Sequence, residues 1–499
     1  MRIIIPMTGK STRFKKAGIE TPKQFLKIEN NFILKHIINM FPQEEDINLI
    51  VSNSDFNNPI YRDFLEYFNE LRIHKIDFQK SGPGGTLIES GLLNTEEKVV
   101  INYCDFANIW DWSKFKEFIK KENPDGIVPA YRGLHPHSIY NNDYAFIKNN
   151  KNKILKIREK ESFTDIKINE YASTGTYYFK NGNTADKYIR RTFELKNFVN
   201  NEVYISTPYQ EMVDDSLDVR LYDVDYFFQW GTPEDFLEFM YNLKEVKNVY
   251  KNKKIDLKNI NLLIPAAGKG ERFRNEGYVD SKINLRIGSK KIIENIVNMF
   301  SNQINMKILV HEDEQIVNSD FINEEDTVVI SQRTRGQAES SKILIEHIDN
   351  SNPILFHSAD CILDKKLKIE IGDNDVVVYT KENYRRAFSQ PLNYGWVNIK
   401  NSLVESFSIK KNPKAKNSSV ILGVFLFKNK EIFNSLYAET QKRSENMEEI
   451  HIDNMIETAL SKKLKVKIES SEESVMLGTP LEYKLYNYMN KAYLYLRKK

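Results

Sequence analysis

The chain repeats itself, and no other feature limits its fold as much. IIIPMTGKSTRF at 3–14 returns as LLIPAAGKGERF at 262–273, and NMF at 39–41 returns at 298–300. Asp105, ending the run VVINYCD, returns as Asp360, ending PILFHSAD; GTPEDF at 231–236 returns as GTPLEY at 478–483. The landmarks keep their order at offsets of 259, 259, 255 and 247 residues. A period this long marks a doubled domain, since solenoid repeats recur every ~20–50 residues. Two domains also suit a length of 499 residues. The expected boundaries are 1–248, a polar and basic linker at 249–259, and a more divergent second domain at 260–499.

Within each copy, short apolar runs such as Arg2–Pro6, Ile47–Ser52 and Val99–Tyr103 alternate with helical stretches. That texture predicts two tandem Rossmann-like α/β domains, each a mixed, mainly parallel sheet flanked by helices. After Asp105 a hairpin around 137–160 and the run YASTGTYYFK suggest an inserted wall beside a pocket. Charge excludes one class of partner: 72 basic and 69 acidic residues are interspersed for a net +3, which is no nucleic-acid platform. No apolar run approaches the ~18–20 residues that span a bilayer, so no membrane is expected either. Cys104 and Cys361 fall at matching places in the two copies, hence in different cores, and a disulfide is not expected. MRIIIPM is too short for a signal peptide, and the expected location is the cytoplasm.

Each copy opens with an apolar strand running into a loop of small and basic residues. In the first copy this is Thr8, Gly9, Lys10, Ser11, Thr12 and Arg13; in the second it is Ala267, Gly268, Lys269, Gly270, Glu271 and Arg272. Small residues let backbone N–H groups surround an anion, and an arginine fork can grip terminal phosphate oxygens. A plain strand-to-helix turn would also use glycines, but basic residues at fixed spacing in both copies favour phosphate. Two rival phosphate motifs fail. A P-loop needs glycine where Ile4 stands, and the dinucleotide fingerprint needs glycine where Phe273 stands.

IIIPMTGKSTRF with TPKQFLKI, NYCD at 102–105, REK at 158–160, STGTYYF at 173–179 and FFQWGTPEDF at 227–236 together resemble the sugar-phosphate nucleotidylyltransferases. The resemblance covers essentially all of the first copy and, more loosely, the second. It implies transfer of a nucleotidyl group from an NTP to a sugar phosphate or related phosphorylated acceptor, with Mg2+ and release of pyrophosphate. Synthesis of a bacterial capsule, lipopolysaccharide or other surface glycan would be the setting. It also implies roles. Lys10 and Arg13 hold the triphosphate, Lys23 after Pro22 reaches the α-phosphate, and Asp105 binds magnesium. Lys160 binds the acceptor phosphate, with Glu159 and Gly175 on the acceptor side, and Gly84 and Gly85 admit the base. In the second copy the corresponding assignments are Gly268, Lys269, Gly270, Arg272, Lys282 and Asp360, with Gly336 in RGQAES for the base and Lys411, in Lys410-Lys411, for the acceptor.

One departure bears on the metal. The family's second aspartate falls on Gln229 in the first copy and Met476 in the second, and Asp223 or, as a weak candidate, Asp225 could substitute. The alternatives left open are a cytidylyltransferase for a small phospho-alcohol, and a nucleotide-binding scaffold with one or both sites inactive. His135 and His137, around Pro136, read as a substrate-side loop rather than a metal pair. The expected partners are an NTP and a phosphorylated small molecule, with a homo-oligomer left open.

Overall fold

Runs such as Ile3-Ile4-Ile5 and Val99-Val100-Ile101 carry no polar face, which suits strands covered on both sides. In the computed structural model these residues are fully buried in a large mixed sheet. The structure describes residues 1–77, 81–134, 144–314, 322–400, 403–414, 418–443 and 449–498. His135 and His137 lie outside them. Two compact units emerge: Met1–Tyr241 with Lys491–Lys499, and Asn242–Asn490.

Among the described residues the large sheet of the first unit has ten strands: β1 (Arg2–Pro6), β2 (Ile47–Ser52), β3 (Arg72–Ile76), β4 (Val99–Asn102), β5 (Gly126–Tyr131), β6 (Ala145–Asn150), β7 (Lys153–Glu159), β8 (Tyr171–Ser173), β9 (Thr176–Phe179) and β10 (Val219–Asp223). Their order is β8-β6-β7-β10-β5-β9-β4-β1-β2-β3. Strands β3, β2, β1 and β4 are parallel, but β9 enters antiparallel between β4 and β5, and β6–β7 is an antiparallel hairpin. The mainly parallel arrangement expected from the sequence therefore holds on that side, and on the other only for the pair β5–β10. The reason is connection length: a hairpin turn joins antiparallel strands, whereas a parallel pair needs a crossover of a dozen residues or more.

The second unit repeats the plan with β11 (Asn261–Pro265), β12 (Met306–His311), β13 (Thr327–Ile330), β14 (Ile354–His357), β15 (Val376–Lys381), β16 (Gly395–Lys400), β17 (Leu403–Ile409), β18 (Ser419–Phe427) and β19 (Val466–Ser471). The path is β13-β12-β11-β14-β18-β15-β19, with hairpin β16–β17 attached to β18. Where the first unit breaks between β8 and β9 at Gly175 (φ 94°), the second runs one strand that bends at Gly423 (φ 72°). A Cβ on Gly175 would lie 2.8 Å from the Phe106 ring, so glycine is required there by both backbone and space.

The segment 249–259 is not a linker. Helix Pro233–Tyr250 runs through its start, Ile255–Asp256 pairs with Phe300–Ser301, and Ile255 and Leu257 are buried. Two apolar residues spaced two apart turn to one face in a strand, and that pattern outweighs the polar composition. Both cysteines are free and buried. Among the described residues no helix is long and apolar enough to cross a membrane.

Candidate active site

Strand β1 and strand β4 end side by side, so the loops that follow them face one another; open α/β sheets bind ligands at such strand ends. After β1 the chain enters the signature loop with Ser11 in the left-handed region (φ 51°); Gly270 repeats that conformation in the second unit (φ 62°). The left-handed turn is strained at Ser11 and unstrained at Gly270, which has no Cβ to clash. Gly9 and Gly268 face open space, where a Cβ would meet nothing. Thr8 is buried and shares a hydrogen bond with Thr86 (2.8 Å), while the buried Ala267 offers its carbonyl to Arg333 (2.8 Å). Lys10, Arg13 and Arg272 are exposed. Lys269 pairs with Glu271 (3.5 Å).

The loop continues to Pro22-Lys23, where the Lys23 N–H donates to Ser11 Oγ (3.3 Å). Lys23 Nζ then reaches Asp105 Oδ2 at 2.5 Å. Burial alone would lower the lysine, but the Asp105 carboxylate outweighs it and pushes the group up to about 12. Cys104 beside it is pushed up to about 11 by burial, and is therefore a thiol rather than a thiolate nucleophile at neutral pH. Gly231 allows this packing, since a Cβ there would sit 3.0 Å from Asp105 Oδ2. The second unit has the same pair, Lys282 Nζ with Asp360 Oδ1, again beside a glycine, Gly478.

In the first unit these groups line a cleft of about 510 Å³ together with Gly175, Glu159 and Lys160 from the far wall. Lys160 Nζ accepts a position over Tyr204 (4.7 Å to the ring) and donates to its hydroxyl (2.9 Å). Glu159 accepts from Ser206 Oγ (2.6 Å). The cleft thus brings together the triphosphate, α-phosphate, metal and acceptor residues that the sequence singled out in the first copy.

Four assignments fall elsewhere. Gly84 and Gly85 are buried in helix Gly82–Ser90, with the Gly84 N–H spent on Val203 O (3.0 Å); it is Gly82 and Pro83 that border the cleft. Gly82 and Gly336 both take positive φ (76° and 116°), and the helix after each is anchored to Val203 or Ile450 in the same way. Aligning SGPGGT with RGQAES on the first glycine would have found this. Asp225 is exposed and outside the cleft. Strand Tyr226–Gln229 brings Gln229, paired with Phe106, next to Asp105; at ~3.3 Å per residue, position 225 is left about 13 Å away. Lys411 is off by one. Glu159 faces Ala145 in its hairpin and Ile409 faces Gly395 in the other. The backbone N–H of Lys160 (φ 58°) donates to Tyr144 O just as that of Lys410 (φ 50°) donates to Tyr394 O. Lys410, not Lys411, is the counterpart of Lys160.

The sequence also passed over Tyr144, whose hydroxyl donates to Gln229 Oε1. Gln229 in turn donates to Asp235 (3.2 Å). With both ends of its amide engaged, Gln229 positions the cleft wall. In the second unit Met476 cannot do this, and Tyr394 donates directly to Glu482 (2.8 Å).

No family model and no curated protein matches the chain. Among solved structures it is similar to a nucleoside-diphosphate-sugar pyrophosphorylase from Vibrio cholerae RC9, at 20% identity over 48% of this chain and 99% of that one, TM-score 0.39. It is similar also to the inositol-1-phosphate CTP transferase from T. maritima (16% identity, 47% and 90% covered, TM-score 0.36). An apo UDP-glucose pyrophosphorylase is a third (15% identity, 48% and 95% covered, TM-score 0.38).

Proposed function

We propose that the first cleft transfers a nucleotidyl group from an NTP to a phosphorylated acceptor and releases pyrophosphate. The second site, on this reading, runs the same chemistry on a different acceptor. The observation that carries the proposal is the Lys23–Asp105 pair at the floor of a cleft with basic residues on opposite walls. Two anions must approach each other there, and a phosphate oxygen needs no general base to attack. What the reaction requires is cations held in position. Lys10 and Arg13 act on the triphosphate from the loop, Lys23 steadies the α-phosphate, and Lys160 holds the acceptor phosphate across the cleft. Glu159 and Gly175 face the acceptor's body, and Gly82 with Pro83 gives the base a flat backbone edge. The second site has Arg272, Lys269, Lys282, Gly336 and Lys410 for the same tasks.

Magnesium fits this donor set. It is a hard ion that takes one or two carboxylates and completes its shell with phosphate oxygens and water, and Asp105 or Asp360 supplies a carboxylate at the pocket floor. Bound there, the ion would neutralise charge on the triphosphate. A surface-glycan precursor is the setting we propose for the product. The test is pyrophosphate release from each of four NTPs with phospho-sugars and phospho-alcohols in turn. It uses the full chain and variants silenced at one site by Asp105→Asn or Asp360→Asn. Release that is lost in part with each variant supports two active sites, while no release with any pair overturns the reading.

A further inference from the structure

On the proposed acceptor wall three positions differ together between the two units. In the first unit the Glu159 carboxylate meets Ser206 Oγ, and Ala145 lies opposite Glu159 in the hairpin. The hairpin registers and the shared anchoring of Val203 and Ile450 equate Ala145 with Gly395, Glu159 with Ile409, and Ser206 with Asp453. So the strand acid has become apolar, the helix hydroxyl has become an acid, and the methyl between them has gone. The lost methyl makes room for the new acid: a Cβ on Gly395 would lie 2.9 Å from Asp453 Oδ2. A carboxylate has moved from strand to helix and still stands between them.

Asp453 Oδ1 is shut off from solvent and has no hydrogen-bond partner among the described residues. Buried carboxylate oxygens are ordinarily paired, and this carboxylate stands against Gly395, the counterpart of Ala145 in the lining of the first cleft. Burial pushes this carboxyl up to about 7, with Glu457 adding to the rise and Lys410 opposing it. Capping of helix Ile452–Ser461 does not explain the residue. The bond at that helix start comes from Asn454, which accepts from the His451 N–H at 3.1 Å. Lys410, next along the chain from Ile409, pairs with Glu449 (3.1 Å).

We propose that Asp453 is the carboxylate by which the second site recognises its acceptor, taking a hydroxyl of a hydroxylated phosphate ester whose phosphate rests on Lys410. This rests on the reading of the second site given above. The test uses the full chain with Lys23→Ala and Asp105→Asn, so that only the second site is in play. Binding of glucose 1-phosphate, glycerol 3-phosphate and inorganic phosphate is measured by calorimetry, with magnesium and each of four α,β-methylene nucleoside triphosphates to prevent turnover. Asp453→Asn is expected to weaken ester binding tenfold or more and inorganic phosphate less than twofold. Asp453→Ser with Ile409→Glu, which rebuilds the first unit's arrangement, is expected to recover ester binding to within threefold. A melting temperature for Asp453→Asn no lower than that of the parent chain checks that the fold is intact. No loss of ester binding, or an equal loss for inorganic phosphate, overturns the proposal. So does failure of both esters to bind; pyrophosphate release by the unaltered chain then shows whether the transfer reaction itself stands.

Discussion

Just past the signature loop the two units are alike: a lysine meets an aspartate at a strand end, Lys23 with Asp105 and Lys282 with Asp360. A few residues away they part. Thr12 becomes Glu271, Tyr204 becomes His451, Gln229 becomes Met476, and the acid between hairpin and helix, Glu159 in the first unit, is Asp453 in the second. The difference separates two kinds of demand. Groups that act on a phosphate must hold one geometry, because charge stabilisation falls off with small displacements. A wall that recognises hydroxyls needs only a carboxylate in the right place, and either strand or helix can supply it.

The largest expected effect tests the shared floor. Lys23→Ala should lower the first site's pyrophosphate release by roughly a thousandfold, the scale for removing one preorganised charge, with Lys282→Ala doing the same at the second. An unequal outcome would show that the likeness is architectural only. Next comes the register of the second acceptor wall. Lys410→Ala should weaken phosphate binding by roughly tenfold or more, the scale of a charged hydrogen bond, and Lys411→Ala should leave it within twofold in the same calorimetry. Gly336→Ala sharpens the base-side comparison: its Cβ would sit 2.7 Å from Ile450 O at φ 116°. A cost of about 1–3 kcal/mol is expected, read as a lower melting temperature.

A smaller effect concerns Glu271, which pairs with Lys269 where the first unit has Thr12. Glu271→Thr should tighten nucleotide binding at the second site by roughly fivefold, since an exposed like charge is worth about 1 kcal/mol. The last prediction is a pH dependence of stability. Asp453 holds its proton to about pH 7 in the folded chain and only to about pH 4 when unfolded. Between these values the folded state binds more protons, so stability falls as pH rises. The wild-type chain should lose stability against Asp453→Asn from pH 4 to 7 and stay level above, as denaturant titrations at several pH values would show.

Much of the lining of the first cleft was legible because its signals are local. Gly9 through Arg13, Lys23 and Asp105 lie at strand ends that hydrophobic runs already mark, and the repeat supplies a second reading of each. The errors came where register decides. Reading GG in SGPGGT as the base turn put Gly84 and Gly85 in a helix interior, one turn from the cleft. Matching Glu-Lys to Lys410-Lys411 by letters slipped one residue, and a one-residue slip carries a side chain to the other face of a strand. Helix Trp112–Glu122, capped by Asp111 through Ser113 and Lys114, went unread because its apolar face is aromatic and its start lies next to a strand.

By itself the sequence marked two copies of one pattern, each with apolar strand runs and a small, basic loop followed by a lysine and an aspartate. Periodicity, glycine placement and repetition all act within a few residues of chain, so they can be read in one dimension. Only the tertiary structure decided that segment 249–259 belongs to a unit rather than joining two. It also decided that β9 lies antiparallel and that Gly395 leaves room for Asp453. Each of these depends on which distant segments pack together, because a cavity the size of one methyl group exists only between side chains that the fold has made neighbours.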